Sequence, residues 1–283
     1  VDPMDNAFAR EIWRVLEPLH AITYFAADCI AANKAIGLRG FWMGYFASRS
    51  APLGAVGPSV VEATFYNFHP DMVRRAIPDA WKFATPDTVI ATRTIAAAAV
   101  LRAVVPDIAT IAARAVPHLQ AAIANAPAAG RPLFAANRDL PTPGDSVHAL
   151  WQAATALREH RGDGHVACLL SEGIDGVEAH VLFAVSTGGP EQLWRDNRGW
   201  SETDWKAARE RLTDRGLLDA DGITEAGRAL RAHLEARTDA LAVTAYRGVP
   251  AMLETVAALT PAARAVVRSG EVPYPNPMGA DPT

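Results

Sequence analysis

Six of the nine side chains in Leu157-Arg158-Glu159-His160-Arg161-Gly162-Asp163-Gly164-His165 are charged or imidazole. They interrupt Ala/Leu-rich segments that otherwise read as buried helix. Ionisable groups gathered inside apolar surroundings are where pKa values move and sites form. Arg158 suits an anionic group. His160 and His165, with Asp163, suit proton transfer near neutrality, because imidazole titrates there. The competing structural reading is a solvated helix end, with Glu159 and Arg161 in water, Asp163 in a turn and His160 favoured by the helix dipole. As metal ligands, His160, Asp163, His165 and His180 match no standard zinc spacing, so no metal is expected. Nothing in the sequence names a cofactor.

A second set lies in the first half of the chain. Phe41, Trp42, Tyr45 and Phe46 crowd one short segment and read as core, or as the wall of a pocket for a flat ligand, with Trp42 on it. Arg49 follows them. A guanidinium there needs an acidic partner or a ligand carboxylate or phosphate. Tyr66 and Asn67 are placed to orient such a ligand, and Arg49 and Arg158 to hold its anionic end. Gly162-Asp163-Gly164-His165-Val166-Ala167 fits G-x-G-x-x-A, but that fingerprint must follow a strand and here it follows a helix. No G-x-S-x-G elbow, P-loop, H-E-x-x-H or C-x-x-C occurs.

The elements that must position these residues are helical. Of 283 residues half are hydrophobic, and the formal net charge is −4, which leaves no electrostatic footprint for nucleic acid or anionic membrane. Cys29 and Cys168 each sit in apolar surroundings and read as free thiols of a reducing cytoplasm. No stretch is long and apolar enough to span a bilayer. Apolar residues recur at three and four from Phe8 to Ile22, with a break expected at Pro18. The expected divisions are an N-terminal half over 4–126, a Pro/Gly linker over 127–146, a C-terminal half over 147–248, a helix over 249–270 and a disordered tail over 271–283. Val1-Asp2-Pro3 reads as a cloning remnant. Within the second half the pattern predicts a helix over 147–160, a turn at Arg161–Gly164 and a new helix over 165–172. Ser201 and Asp204 predict a capping box, and Asp221-Gly222 a hairpin turn.

The run from Ala208 to Leu241, ARERLTDRGLLDADGITEAGRALRAHLEARTDAL, resembles the winged-helix core of MarR-type regulators, with a likeness that extends over Trp200 to Ala242. The whole chain also resembles an uncharacterised actinobacterial helix-turn-helix family, through Arg39–Arg49, Phe65–Phe68, 157–165 and Arg198–Ser201. The resemblance implies DNA contacts from Lys206, Arg209 and Arg211. The charge count opposes it: Pro190 to Arg247 holds ten basic and eleven acidic residues, and phosphate neutralisation supplies most nonspecific affinity.

The halves also resemble each other. Ile12-Trp13 aligns with Leu150-Trp151, Cys29 with Cys168, and Gly37-Leu38-Arg39-Gly40 with Gly173-Ile174-Asp175-Gly176. The expected fold is therefore mainly α, as tandem winged-helix-like units from an internal duplication, each with a small β wing. Such a chain imitates a regulator dimer, as a pseudo-twofold monomer or a homodimer. The expected function is a cytoplasmic small-molecule-binding protein. Its pocket lies between the halves, for an apolar or aromatic ligand with an anionic group, with room for histidine acid–base chemistry. The alternative is a MarR-like transcription regulator.

Overall fold

The computed structural model describes residues 5–276, and Val1-Asp2-Pro3 and 277–283 lie outside them. The chain is mainly helical, with one small two-stranded sheet among the described residues. Its first half runs α1 (Asn6–Phe25), α2 (Ala27–Ala35), α3 (Gly40–Ser50), α4 (Pro58–Phe65), α5 (Pro70–Arg74), α6 (Pro86–Val104) and α7 (Ile108–Asn125). A short helix, α8 (Pro132–Arg138), follows. The second half runs α9 (Ser146–Ser171), α10 (Gly176–Thr187), α11 (Glu191–Arg198), α12 (Glu202–Asp214), the hairpin β1 (Leu218–Asp219) and β2 (Gly222–Ile223), α13 (Glu225–Ala242) and α14 (Met252–Ser269).

The order of elements repeats. Helices α1 and α2 together correspond to α9, α3 to α10, α4 to α11, α5 to α12, α6 to α13 and α7 to α14. Both α7 and α14 are 18 residues long, and each carries a proline as its tenth residue, Pro117 and Pro261. The packing exchanges partners between repeats: α1 packs on α13 and α14, while α9 packs on α6 and α7. That reciprocity is what a pseudo-twofold axis produces. Between the repeats, α8 packs on α9, so the stretch read as a linker holds a docked helix.

Three apolar clusters follow from this arrangement. The central one joins long helices of both repeats, including Ile12, Leu16 and Leu19 of α1, Leu101 of α6, Leu119 of α7, Trp151 of α9 and Leu259 of α14. One peripheral cluster belongs to α3–α5 and includes Phe46, Phe65 and Phe68. The other belongs to α10–α12 and the hairpin and includes Trp194, Trp205 and Leu218. The order α10–α11–α12–β1–β2–α13 is a winged-helix arrangement. In the first repeat a 3-10 turn, Asp79–Lys82, stands where the second has its hairpin, so the expected first wing is absent there.

Several local expectations change. Pro18 does not break α1; the helix continues to Phe25 and the chain bends at Ala26, whose backbone is extended. The segment Arg161–Gly164 is not a turn, because α9 is one helix of 26 residues. Gly162 and Gly164 keep negative φ. Tertiary packing along the helix outweighs the ~1 kcal/mol that each interior glycine costs. The start of the expected disordered tail is ordered: Val272 and Asn276 are buried and Tyr274 packs on the central cluster. Both cysteines are free and buried. No helix among the described residues is long and apolar enough to cross a membrane.

Candidate functional site

A cavity of about 350 Å³ lies between the repeats. From the first repeat, α1 contributes Arg10, Trp13, Arg14 and Glu17, and α3 contributes Tyr45 and Arg49. Phe65, Asn67 and Phe68 come from the end of α4 and the loop after it. From the second repeat, α9 offers Arg158, Arg161, Gly162, His165 and Val166 along one face, at the three- and four-residue spacing of neighbours on a helix. Ala179, His180, Phe183 and Thr187 of α10, Trp194 and Arg198 of α11, and Arg231 and Glu235 of α13 complete the wall. A narrow annex of about 50 Å³, lined by Leu169, Ile174, Leu182 and Leu234, adjoins it past His165, Phe183 and Arg231.

The wall carries seven arginines, and four carboxylates answer some of them. Glu159, buried behind the wall, takes a forked pair of bonds from Arg49 at 2.8 and 2.9 Å and a third from Arg158 at 3.2 Å. Burial alone would raise the Glu159 pKa, but Arg49 and Arg158 overcome it and hold the carboxyl at about 2. Arg158 also reaches Glu17 at 3.3 Å. Arg10 and Arg161 share Glu235 and Asp239, and Arg161 lies over the Trp13 ring. Arg231 bonds Ser186 Oγ and stacks over Phe183, and has no carboxylate in ion-pairing reach among the described residues. The same holds for Arg14. The cavity is therefore net cationic, with aromatic rings beside the guanidinium groups.

Asn67 Oδ1, Arg161 Nε and His180 Nε2 are buried on this wall with no hydrogen-bond partner among the described residues. Each such atom costs about 1–3 kcal/mol if nothing answers it. His165 is different. Its Nδ1 lies 2.9 Å from Thr238 Oγ1, and that hydroxyl donates to Leu234 O at 2.7 Å. The hydroxyl proton is thus committed, so Nδ1–H donates and Nε2 is left as an acceptor. Burial, with the help of Arg161 and Arg231, pushes the His165 pKa down to about 4. Burial also holds His180 well below the usual histidine range. Both imidazoles are neutral at pH 7.

The residues singled out in the sequence divide. Arg49, Asn67, Arg158 and His165 meet on the cavity wall. Tyr66 instead donates its hydroxyl to Ile174 O at 2.5 Å, tying the repeats together. Trp42 packs among Phe41, Tyr45, Phe46 and Phe68. His160 stands edge-on to Phe134 in the interior, and burial beside Arg131 pushes its pKa down to about 3. Asp163 accepts from Phe134 N at 2.9 Å, which caps the start of α8. Sequence reading passed over Arg10 and Arg231, and read Arg161 of the 157–165 stretch as a residue in water; all three line the cavity. Arg10 and Arg231 stand on separate helices and look like ordinary surface charge, so no local signal marks them. No cluster of potential metal ligands occurs among the described residues.

Burial, and then the nearby Glu159, raise the Asp163 pKa to about 7. As pH rises from the ordinary carboxylate range to about 7, the unfolded chain releases this proton while the folded chain retains it. The group therefore withdraws stability over that window, and the loss is complete above it. Asp163→Asn keeps the acceptor and never ionises. It is expected to be about 2 kcal/mol more stable than wild type at pH 8 and nearly equal at pH 4, as read from urea melts at the two pH values.

A family model described as helix-turn-helix family matches residues 9–273. The chain belongs to that helix-turn-helix family. No curated protein and no solved structure matches it. In the second repeat α11 and α12 are joined through Gly199 in the left-handed region. Ser201 and Asp204 form the capping box that opens α12. The basic residues of α12 are largely engaged within the helix-turn-helix family fold itself. Arg209 pairs with Glu191, which also accepts from Trp205 Nε1. Arg211 pairs with Asp175 at 2.6 Å and Glu178 at 2.9 Å. Arg215 bonds the carbonyls of Glu172 and Gly173. Lys206 faces outward, 3.9 Å from Glu210.

Proposed function

We propose that this helix-turn-helix family member binds a small aromatic anion in the cavity between its repeats. The observation that carries the reading is the set of buried, unanswered polar atoms of Asn67, Arg161 and His180 around one net cationic, aromatic-walled chamber. Arg49 and Arg158, expected to hold the anionic end, are engaged by Glu159 and Glu17. The anionic end is therefore assigned to Arg231, with His180 on the same cavity wall and the ring against Phe183, Trp13 and Trp194. His165 Nε2 accepts from a donor on the ligand, and is the group that would take a proton if the bound molecule reacts.

The probe 8-anilino-1-naphthalenesulfonate has the required chemistry, and Trp13 and Trp194 lie close enough to excite it. Saturable binding of one probe per chain is expected. Arg231→Ala is expected to weaken it roughly 10- to 100-fold, the loss of one charge-assisted hydrogen bond. Unchanged affinity in both Arg231→Ala and His180→Ala would sink the proposal.

The second reading, a DNA-binding regulator of MarR type, is favoured by the family match and by the Leu212-x-x-x-Gly216-Leu217 step into the hairpin. The internal pairing of Arg209 and Arg211 and the acidic hairpin residues Asp219 and Asp221 oppose it. Retention on random duplex at low salt, lost steeply as salt rises and weakened in Lys206→Ala, would establish it in place of the first. In either reading the repeats let one chain act as a pseudo-twofold monomer in the cytoplasm.

A further inference from the structure

Gly162 lies in the middle of α9 with its open side on the cavity. Glycine is the least favoured helix-interior residue after proline, so its use there calls for a cause. At Gly176 and Gly227 the cause is close approach: a Cβ would run into the carbonyl oxygens of Tyr66 and Leu217. At Gly162 no neighbour forbids a side chain. A Cβ would meet Glu159 Oε2 alone, at 3.5 Å, an ordinary contact. Backbone geometry does not require glycine either, since φ is negative. What a side chain at Gly162 would occupy is the chamber itself.

The surroundings say what the bare backbone serves. Arg158, His165 and Val166 flank Gly162 on the same helix face. His180, nine-tenths buried with an unanswered Nε2, lies on the same wall. We propose that Gly162 is the specificity-determining position of this cavity, its missing side chain admitting the flat face of an aromatic anion against the α9 backbone. The inference rests on the ligand reading above and sharpens it: the ligand is planar where it meets α9, and the depth of the chamber is set by one residue.

Gly162→Ala, Gly162→Leu and the control Gly164→Ala test this. Gly164 is on the same helix but off the cavity, with its Cβ position beside Leu241 and Arg131. Both alanine variants are expected to raise the melting temperature by about 2–4 °C, because both replace a helix-interior glycine. Binding of 8-anilino-1-naphthalenesulfonate should separate them. Gly164→Ala should bind as wild type, Gly162→Ala should bind several-fold more weakly, and Gly162→Leu should not bind detectably while remaining folded by circular dichroism. Wild-type affinity in Gly162→Leu overturns the role of Gly162 alone. An equal loss in Gly164→Ala overturns it too, since the effect would then belong to the helix and not to the cavity. Absence of probe binding to the wild-type chain overturns the ligand reading, and this inference with it.

Discussion

Glu159→Ala is expected to destabilise the protein by about 3–5 kcal/mol, because removing one member of a buried ion network strands the others. Glu159 is 1% exposed and holds two guanidinium groups, Arg49 and Arg158, that come from different repeats. Without it, Arg49 faces the Phe65 ring with no carboxylate against it, and Arg158 keeps Glu17 alone. Urea denaturation at pH 7 reads the loss. Glu159→Gln, which keeps shape and two acceptor-side contacts, should fall between wild type and alanine, and it serves if the alanine variant fails to fold. A double-mutant cycle with Arg49→Ala should show coupling of more than about 1 kcal/mol, as residues in direct contact do. Additive losses, or a cost below 1 kcal/mol for Glu159→Ala, would mean that the network contributes little. The pH dependence has a definite sign. Since the folded carboxyl titrates near 2, below its ordinary value, its stabilisation is complete above the ordinary carboxylate range and is lost as pH falls through that range towards 2.

Gly176→Ala is expected to cost about 2–3 kcal/mol by forcing apart two backbones that cannot yield. Gly176 opens α10, and a Cβ there would run into the Tyr66 carbonyl and the Asn67 backbone of the other repeat. The loop it meets is already strained. Tyr66 has φ 57° and ψ −51°, with Asn67 N bonded to Phe65 O at 2.5 Å, a γ-turn of the rare positive-φ kind. Three further bonds lock the loop in place: Tyr66 Oη to Ile174 O, His69 N to Arg198 O and Trp200 Nε1 to Asn67 O. A methyl group at Gly176 therefore displaces the segment that brings Asn67 and Phe68 to the cavity. Thermal melting should show the loss, and binding of the naphthalenesulfonate probe should fall with it. Gly144→Ala, at a position with nothing near its Cβ site, controls for the substitution itself. A Gly176→Ala variant with unchanged melting temperature and probe affinity would show that the two repeats are not interlocked at this point.

The helices themselves were legible because their causes are local. Periodic apolar positions and the Ser201–Asp204 capping box each act within a few residues, and each appears where the sequence places it; the hairpin forms too, but its turn is Ala220-Asp221, one residue before the expected Asp221-Gly222, and Gly222 pairs with Asp219. The duplication was also legible, since paired tryptophan, cysteine and glycine positions survive in order. The continuity of α9 was not. Two glycines within three residues favour a turn when weighed locally. In the folded chain α6, α7, α8 and α13 pack along that helix and sustain it.

The candidate site follows the same division. The sequence by itself determined a mainly helical, twice-repeated chain and a concentration of ionisable groups at 158–165. Only the tertiary structure decided which of those groups face a cavity. Arg158 and His165 do, while His160 turns to Phe134 and Asp163 to the start of α8. It also decided that Arg49 meets a carboxylate 110 residues away and that Arg231 has none in ion-pairing reach among the described residues. The physical reason is range. Helix formation is settled by neighbours three or four positions apart. The partner of a charge is settled by whichever distant segment packing brings within about 3 Å, and no pattern along the chain encodes that distance.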